Sequence, residues 1–388
     1  MDSAVLTYDP LHPDTLENPY PIYKKLRETT PIFWHERMKS WVLTRHDDCM
    51  KVLQDSDLFA LDMRRVGVEI SDVRKNLQSL DPPENGPLRA LMMKAFKSQD
   101  IENIRAKIRT SINSTFQKQE TYKEFDWMKE VSAPLALSLT SILLGVEEPE
   151  LELYMEISDA IAYQMDSGLS PENFEPGEQA RKKLNELVDL WFESNATTGI
   201  LPYIRANSEK ANVPSYYIRN TTGTMFNASF GTLYATFGNV VLALINNPEI
   251  LQSFKDESLF SSGIDELVRF DGPAQGTSRF ATRDTVIRGT AIKKGDIVLT
   301  LLAAANRDPL AFPEPDKIIL NRTNNKHLGF GWGPHTCVGT LFGKLAIGEL
   351  IHSLLSESRC LELVRTPTRR NTATVRCIDE LPVLFSNI

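Results

Sequence analysis

The chain has 388 residues, 41% apolar and 24% charged, with a formal charge of -8. This is the profile of a folded protein whose core is large enough to bury a porphyrin-sized cofactor, which excludes a fibrous or disordered chain. The acidic balance argues against nucleic acid, whose binders carry a basic excess. The opening MDSAVLTYDPLHPDTLENPYP lacks a basic stretch followed by an apolar one, and no run reaches 18 consecutive apolar residues. Neither a signal peptide nor a membrane anchor is therefore expected, and the expected location is cytoplasmic. The four cysteines, Cys49, Cys337, Cys360 and Cys377, form no CxxC pair or disulfide framework. Three of them sit in amphipathic surroundings that suit a small buried hydrophobe, and Cys337 does not.

Asn18 to Glu28 reads as a short helix, followed by a hairpin of Pro31 to His35 and Trp41 to Thr44 around the turn RMKS. Asp47 is the expected cap of a helix reaching Leu53. Ser56 to Pro87 has no sustained period and reads as a long loop of the kind used as a lid. Helices are expected from Leu88 to about Gly145, with a break near Glu120 to Phe125, then at Pro149 to Tyr163 and Gly177 to Phe192. Ser215 to Asn247 is the longest helical candidate, stopped by Pro248. Asn227, Ser229, Gly231, Thr232 and Gly238 interrupt its apolar surface and lower its helix propensity. Either the helix lines a ligand site or small residues let a neighbouring helix approach. A shorter helix at Ser258 to Phe270, strands at Thr277 to Ala281, Val286 to Ile287 and Ile297 to Leu302, a glycine-rich loop, a helix from Val338 to Leu355 and C-terminal strands complete the pattern. The fold class is mainly α with small β-sheets, in one domain spanning residues 1–388, and no GxGxxG follows a strand.

In HLGFGWGPHTCVGTLFGKLAIGEL, Gly329, Gly331 and Gly333 frame a compact loop that ends at Cys337, immediately before a helix. Amides at a helix start stabilise a thiolate, and Gly339 has no side chain to hold off a flat ligand. Three readings follow: a thiolate ligand to haem iron, a cysteine nucleophile with His335 as its base, or a structural cysteine.

The residues FGWGPHTCVG, Phe330 to Gly339, resemble the haem-binding loop of the cytochromes P450 at every fixed position. That ten-residue pattern is highly specific, and further resemblances extend over nearly the whole chain. The resemblance implies a cytochrome P450 fold, haem b (iron protoporphyrin IX) as cofactor and Cys337 as the metal ligand, with Phe330 packed near the sulfur. Glu266 and Arg269, in DELVR, match the family's Glu-x-x-Arg pair, and Arg322 resembles a third member of that structural network. Arg89, Arg279 and His335 resemble the partners of the haem carboxylates. Asn85 stands where the family usually has a histidine, and it is expected as a neutral contact.

Members that activate oxygen usually carry Ala/Gly-Gly-x-Asp/Glu-Thr in the central helix. ASFGT, Ala228 to Thr232, occupies that place here, keeping Thr232 but putting Gly231 at the acid and Ser229 at the glycine. Since glycine cannot relay a proton, Thr232, Ser229, water or a substrate hydroxyl must do so, or the step is avoided. The resemblance implies a monooxygenase of a small to medium, mostly apolar substrate, in secondary metabolism, with electrons from a separate ferredoxin or flavodoxin and its reductase. Alternatives are peroxide-driven oxidation, oxidative cyclisation or coupling, rearrangement, nitric oxide reduction and, in a different class, a non-enzymatic haem sensor. Lys344 is either part of the docking face for the electron donor or a solvated lysine. Asn227, Phe230, Leu233, Pro273, Gly276, Thr277 and Thr372 are the expected substrate contacts, with Leu61 to Val73 closing the entrance.

Overall fold

A run of 32 residues without an internal proline, apolar around most of its circumference, has to lie inside the protein, and the other elements arrange themselves about it. The computed structural model describes residues 8–387. The chain begins with α1 (Pro13–Glu17) and α2 (Tyr20–Thr29), the hairpin β1 (Ile32–His35) and β2 (Ser40–Leu43), α3 (His46–Gln54) and the short β3 (Phe59–Ala60). Helices α4 (Asn85–Lys97) and α5 (Ile101–Gln117) follow, then β4 (Phe125–Asp126), a π-helical turn at Met128–Ser132 and α6 (Ala133–Leu144). The remaining helices of the helical half are α7 (Leu151–Met165), α8 (Phe174–Glu193), α9 (Leu201–Asn207), α10 (Ser215–Asn246), α11 (Pro248–Ser253) and α12 (Phe260–Asp271). The last third carries β5 (Thr277–Ala281), β6 (Thr285–Ile287), β7 (Thr290–Ile292), β8 (Ile297–Thr300), α13 (Leu302–Ala305) and α14 (Thr340–Ser356). Strands β9 (Arg359–Leu363), β10 (Thr368–Arg369), β11 (Ile378–Glu380) and β12 (Pro382–Asn387) end it.

The mainly helical expectation holds, and the sheets are small. The largest has the order β1-β2-β8-β5-β3, with the hairpin joined to β8 in parallel from Ser40 opposite Ile297 to Leu43 opposite Thr300. Three-stranded β4-β12-β9 and two ribbons make up the rest. Helix α10 runs through the main core with Phe226, Phe237, Val241 and Leu244 buried, against α6, α8, α12 and α14. Among the described residues it alone is long and apolar enough to cross a membrane, but most of it is packed inside the protein.

Two local expectations change. Asp47 lies in the first turn of α3 and not at its cap, because a distant group takes that role: the His46 N–H donates to Asp308 Oδ2 at 3.0 Å. Helix α9 had no counterpart in the sequence reading, its seven residues being too few to show a period.

Candidate active site

The cysteine loop is shaped by what it must pass. Gly333 has φ +73°, and a Cβ there would lie 2.4 Å from the Leu53 carbonyl oxygen at the end of α3, so both conformation and space demand glycine. Gly331, at φ +68°, makes the other left-handed step. The Cys337 N–H donates to the Phe330 carbonyl at 2.9 Å, which closes the loop. The Phe330 ring lies alongside Gly343 on α14. The Cys337 side chain is accessible even though protein surrounds it. Desolvation is the largest influence on its thiol and raises its pKa, while the Gly339 N–H, the Thr340 hydroxyl and the charge of Arg89 act the other way. A bound metal ion would favour the thiolate, since a coordinating thiol is deprotonated.

Beneath the loop, Glu266 is fully buried and accepts from Arg269 Nε at 2.7 Å, Arg269 Nη2 at 2.8 Å and Arg322 Nε at 3.0 Å. It also takes the N–H of Ile319 at 2.8 Å and the amide of Asn325 at 3.2 Å. The two arginines extend to the carbonyls of Asn306, Pro313, Pro315 and Lys317. Asn306 in turn accepts the Leu328 N–H at 2.7 Å. These bonds fix residues 306–328, the approach to the cysteine loop. Lys344 is committed to Asp265, at 2.6 Å, which also takes His327.

Arg89, His335 and Arg279 stand about the cysteine loop. Arg89 donates to the Thr336 carbonyl at 2.7 Å. His335 Nε2 lies within hydrogen-bond distance of Asp81 Oδ1, at 2.8 Å, a contact that the sequence did not suggest, because DPP at Asp81 read only as a turn. Arg279 is buried, donates only to Thr277 Oγ1 and the Ser278 carbonyl, and has no ion pair among the described residues. Burial brings its pKa down to about 10, against a small opposing influence of Asp81. Asn85 turns its amide onto the Leu80 carbonyl at 2.9 Å and serves the turn before α4.

A cavity of about 580 Å³ opens beside α10. Asn227, Phe230, Gly231 and Thr232 line it, with Ser158, Asp159 and Ile161 of α7 opposite, Leu61, Met63, Ile70 and Val73 from the long loop, and Gly276, Thr372 and Thr374. Thr232 is exposed to it, its hydroxyl donating back to the Ala228 carbonyl at 2.7 Å. A Cβ added to Gly231 would meet only Ser158 Oγ, at 3.7 Å. Ser229 lies on the far side of the helix, where Thr140 Oγ1 donates to it at 3.3 Å, so it is not placed to relay protons into the cavity. Leu233, Pro273 and Thr277 are likewise absent from the wall: Leu233 is buried in the core, the Pro273 carbonyl accepts the Arg376 N–H, and Thr277 Oγ1 accepts from Arg279. Phe230 packs edge-on against Tyr154, with centroids 5.0 Å apart. The wall contributions of α7 and α8 had no sequence signal, since a helix face declares burial but not which neighbour it meets.

An accessible cysteine ahead of a helix, flanked by Gly339 and overlooked by a buried arginine lacking a carboxylate, suits a flat iron cofactor with acidic side chains. The fold and this donor set define a haem-thiolate oxidoreductase. A family model described as Cytochrome P450 matches residues 178–374, more than half of the chain, and the chain belongs to that family. Members use haem b. The chain is 28% identical over 97% of its length to the epothilone C/D epoxidase of Sorangium cellulosum, covering 95% of that protein. It is 24% identical to the polyketide biosynthesis cytochrome P450 PksS of Bacillus subtilis, over 98% of this chain and 99% of that one. The structure of epothilone B-bound cytochrome P450epoK superimposes with a TM-score of 0.87 at 26% identity, covering 98% of this chain and all of that one.

Proposed function

We propose that residues 1–388 act as one catalytic domain, in the cytoplasm, that oxygenates a mostly apolar secondary metabolite using dioxygen and electrons from a separate ferredoxin or flavodoxin. The observation that carries this reading is Thr232, whose hydroxyl is held on the cavity wall beside a glycine. The epoxidase and polyketide names of the relatives support the substrate class.

In this reading Cys337 holds the iron, and haem supplies oxygen activation driven by thiolate electron donation. Arg279 and Arg89 would neutralise its two carboxylates, with His335 held in line by Asp81, because buried unpaired carboxylates are costly. Gly339, without a side chain beside the sulfur, would leave room for a flat group there. On the opposite side, Thr232 Oγ1 donates to Ala228 and so keeps its lone pairs free to accept from water in the cavity. Ser158 Oγ stands across from Gly231 in the space that an acid side chain would fill and can anchor the same water. Leu61, Met63 and Ile161 exclude bulk solvent from the apolar part of the substrate.

The test is oxygen uptake by the haem-loaded protein with a reduced surrogate ferredoxin, using compounds chosen for their shift of the Soret band. Peroxide and product are measured in the same vessel. Oxygen uptake matched by oxygenated product supports the reading. Product formed only with peroxide or nitric oxide, or without any oxygen from dioxygen, overturns it.

A further inference from the structure

Charge on the cavity wall is uneven. Arg370 faces Asp159, and Arg74 faces Glu178, pairs whose charges cancel. Arg181 and Lys182, successive residues of α8, remain. The carboxylate nearest to Arg181 is Glu178, at 3.9 Å from Nε, and Lys182 has no ion pair among the described residues.

Arg181 is nonetheless held in place. Its Nε donates to Gln164 Oε1 at 2.7 Å. Gln164, itself buried, donates to Glu178 at 2.7 Å and to the Phe174 carbonyl at 3.0 Å, which leaves its oxygen the only group free to accept. The fit depends on Gly177, where a Cβ would lie 2.4 Å from the Gln164 side chain. Only Nε of Arg181 is engaged in this way. Its two terminal nitrogens have no partner among the described residues and form a fork suited to a carboxylate or phosphate. Burial, followed by the charge of Arg74, lowers the pKa of Arg181, and the charge of Glu178 opposes them, as that of a bound anion would.

Gln164 stands about 9 Å further along α7 than Ser158, at 1.5 Å per residue. Between the two levels α7 gives the wall Ile161, Ala162 and Tyr163, with Leu184 from α8, and the one carboxylate there, Asp159, is taken by Arg370. We propose that Arg181, with Lys182 beside it, is an anion-binding site on the solvent side of the cavity, and that the substrate is amphipathic, with a carboxylate or phosphate at the end remote from Gly231. This rests on the reading of the cavity as the substrate site.

The experiment is calorimetric and Soret titration of the haem-loaded protein with dodecanoate, dodecyl phosphate, dodecanoyl phosphopantetheine and the neutral methyl dodecanoate. We expect the anions to bind more tightly than the ester, and Arg181→Gln to weaken them roughly ten-fold or more while leaving the ester within about two-fold. Added salt should narrow the gap. Gln164→Ala, which keeps the charge but frees the fork, should weaken the anions alone. Tighter binding of dodecanoate identifies a free acid as the source of the anion, and tighter binding of the phosphopantetheine thioester identifies a carrier-linked chain. Equal affinity of wild type for anion and ester, equal loss of both in Arg181→Gln, or no binding of any anion overturns the proposal. Titration needs no turnover, so failure of the oxygen reaction is scored separately.

Discussion

Replacing Glu266 with glutamine alters one atom and removes the carboxylate shared by Arg269 and Arg322. Oε1 accepts from Arg269 Nη2, Arg322 Nε and the Ile319 N–H, while Oε2 accepts from Arg269 Nε, Arg322 Nε and Asn325. Whichever way the amide turns, its NH2 faces donors, so several bonds are lost and two buried guanidiniums are left with carbonyls alone. Breaking one side of a buried pair costs about 3–5 kcal/mol, against a total stability of about 5–15 kcal/mol. Urea unfolding followed by circular dichroism, with haem retention followed at the Soret band, measures it. Lys317→Ala is the control, since it removes only the exposed pair with Glu314 and should change stability by about 0–1 kcal/mol. Burial raises the pKa of Glu266, but hydrogen bonding and charge from Arg269, then Arg322 and the Ile319 N–H, bring it below the ordinary carboxylate value. Its stabilisation is therefore present above the unfolded pKa and lost as pH falls through the folded one, so the gap between wild type and variant should close in acid. A loss under about 1 kcal/mol at neutral pH, set against the figure expected for a broken buried pair, would refute the reasoning and show that backbone carbonyls suffice.

Cys337→Ala should abolish the ferrous carbon-monoxide absorption expected of a thiolate-ligated haem, and retention of that band would remove Cys337 from the iron. Gly333→Ala meets both a left-handed φ and the Leu53 carbonyl at 2.4 Å. It should cost about 2–5 kcal/mol in urea unfolding, summing the conformational and overpacking penalties, together with weaker haem uptake. Gly231→Asp should fold normally, because its Cβ meets Ser158 Oγ at an ordinary 3.7 Å. It should raise product formed per oxygen consumed several-fold if proton supply limits the reaction, less than the roughly 10²–10⁴-fold effect of a positioned acid on rate because each oxygen yields at most one product. Unchanged coupling would show that Thr232, Ser158 and water already suffice.

The parts of the site that were legible in the sequence are those whose partners are near neighbours in the chain. Phe330 to Gly339 forms one closed loop, and Glu266 and Arg269 are one helical turn apart, so spacing carried the information. What was not legible depends on residues brought from afar. Asp308 supplies the cap that Asp47 was expected to provide, Asp81 takes His335, and Gln164 aims Arg181. Ser229 and Ser158 show the same limit from the other direction. Sequence alone gives Ser229 a place near Gly231, yet a step of two residues on a helix turns it toward Thr140, while a serine on a different helix faces the glycine.

The small residues of α10 allowed two readings, close packing or a ligand wall, and the structure assigns each to different positions. A Cβ at Gly223 would lie 2.8 Å from Val188, and one at Gly238 would lie 2.4 Å from Met128 Sδ, so both glycines admit a neighbour. Gly231 meets nothing closer than Ser158 Oγ at 3.7 Å. Its glycine costs about 1 kcal/mol relative to alanine in a helix interior, and no tight contact at that position offsets it. Packing therefore does not explain the missing acid. The cause has to lie in the cavity, in the shape of the substrate or in how protons reach Thr232, and a carboxylate returned to that one position separates the two: tighter coupling with unchanged substrate affinity points to protons, and lost affinity points to shape.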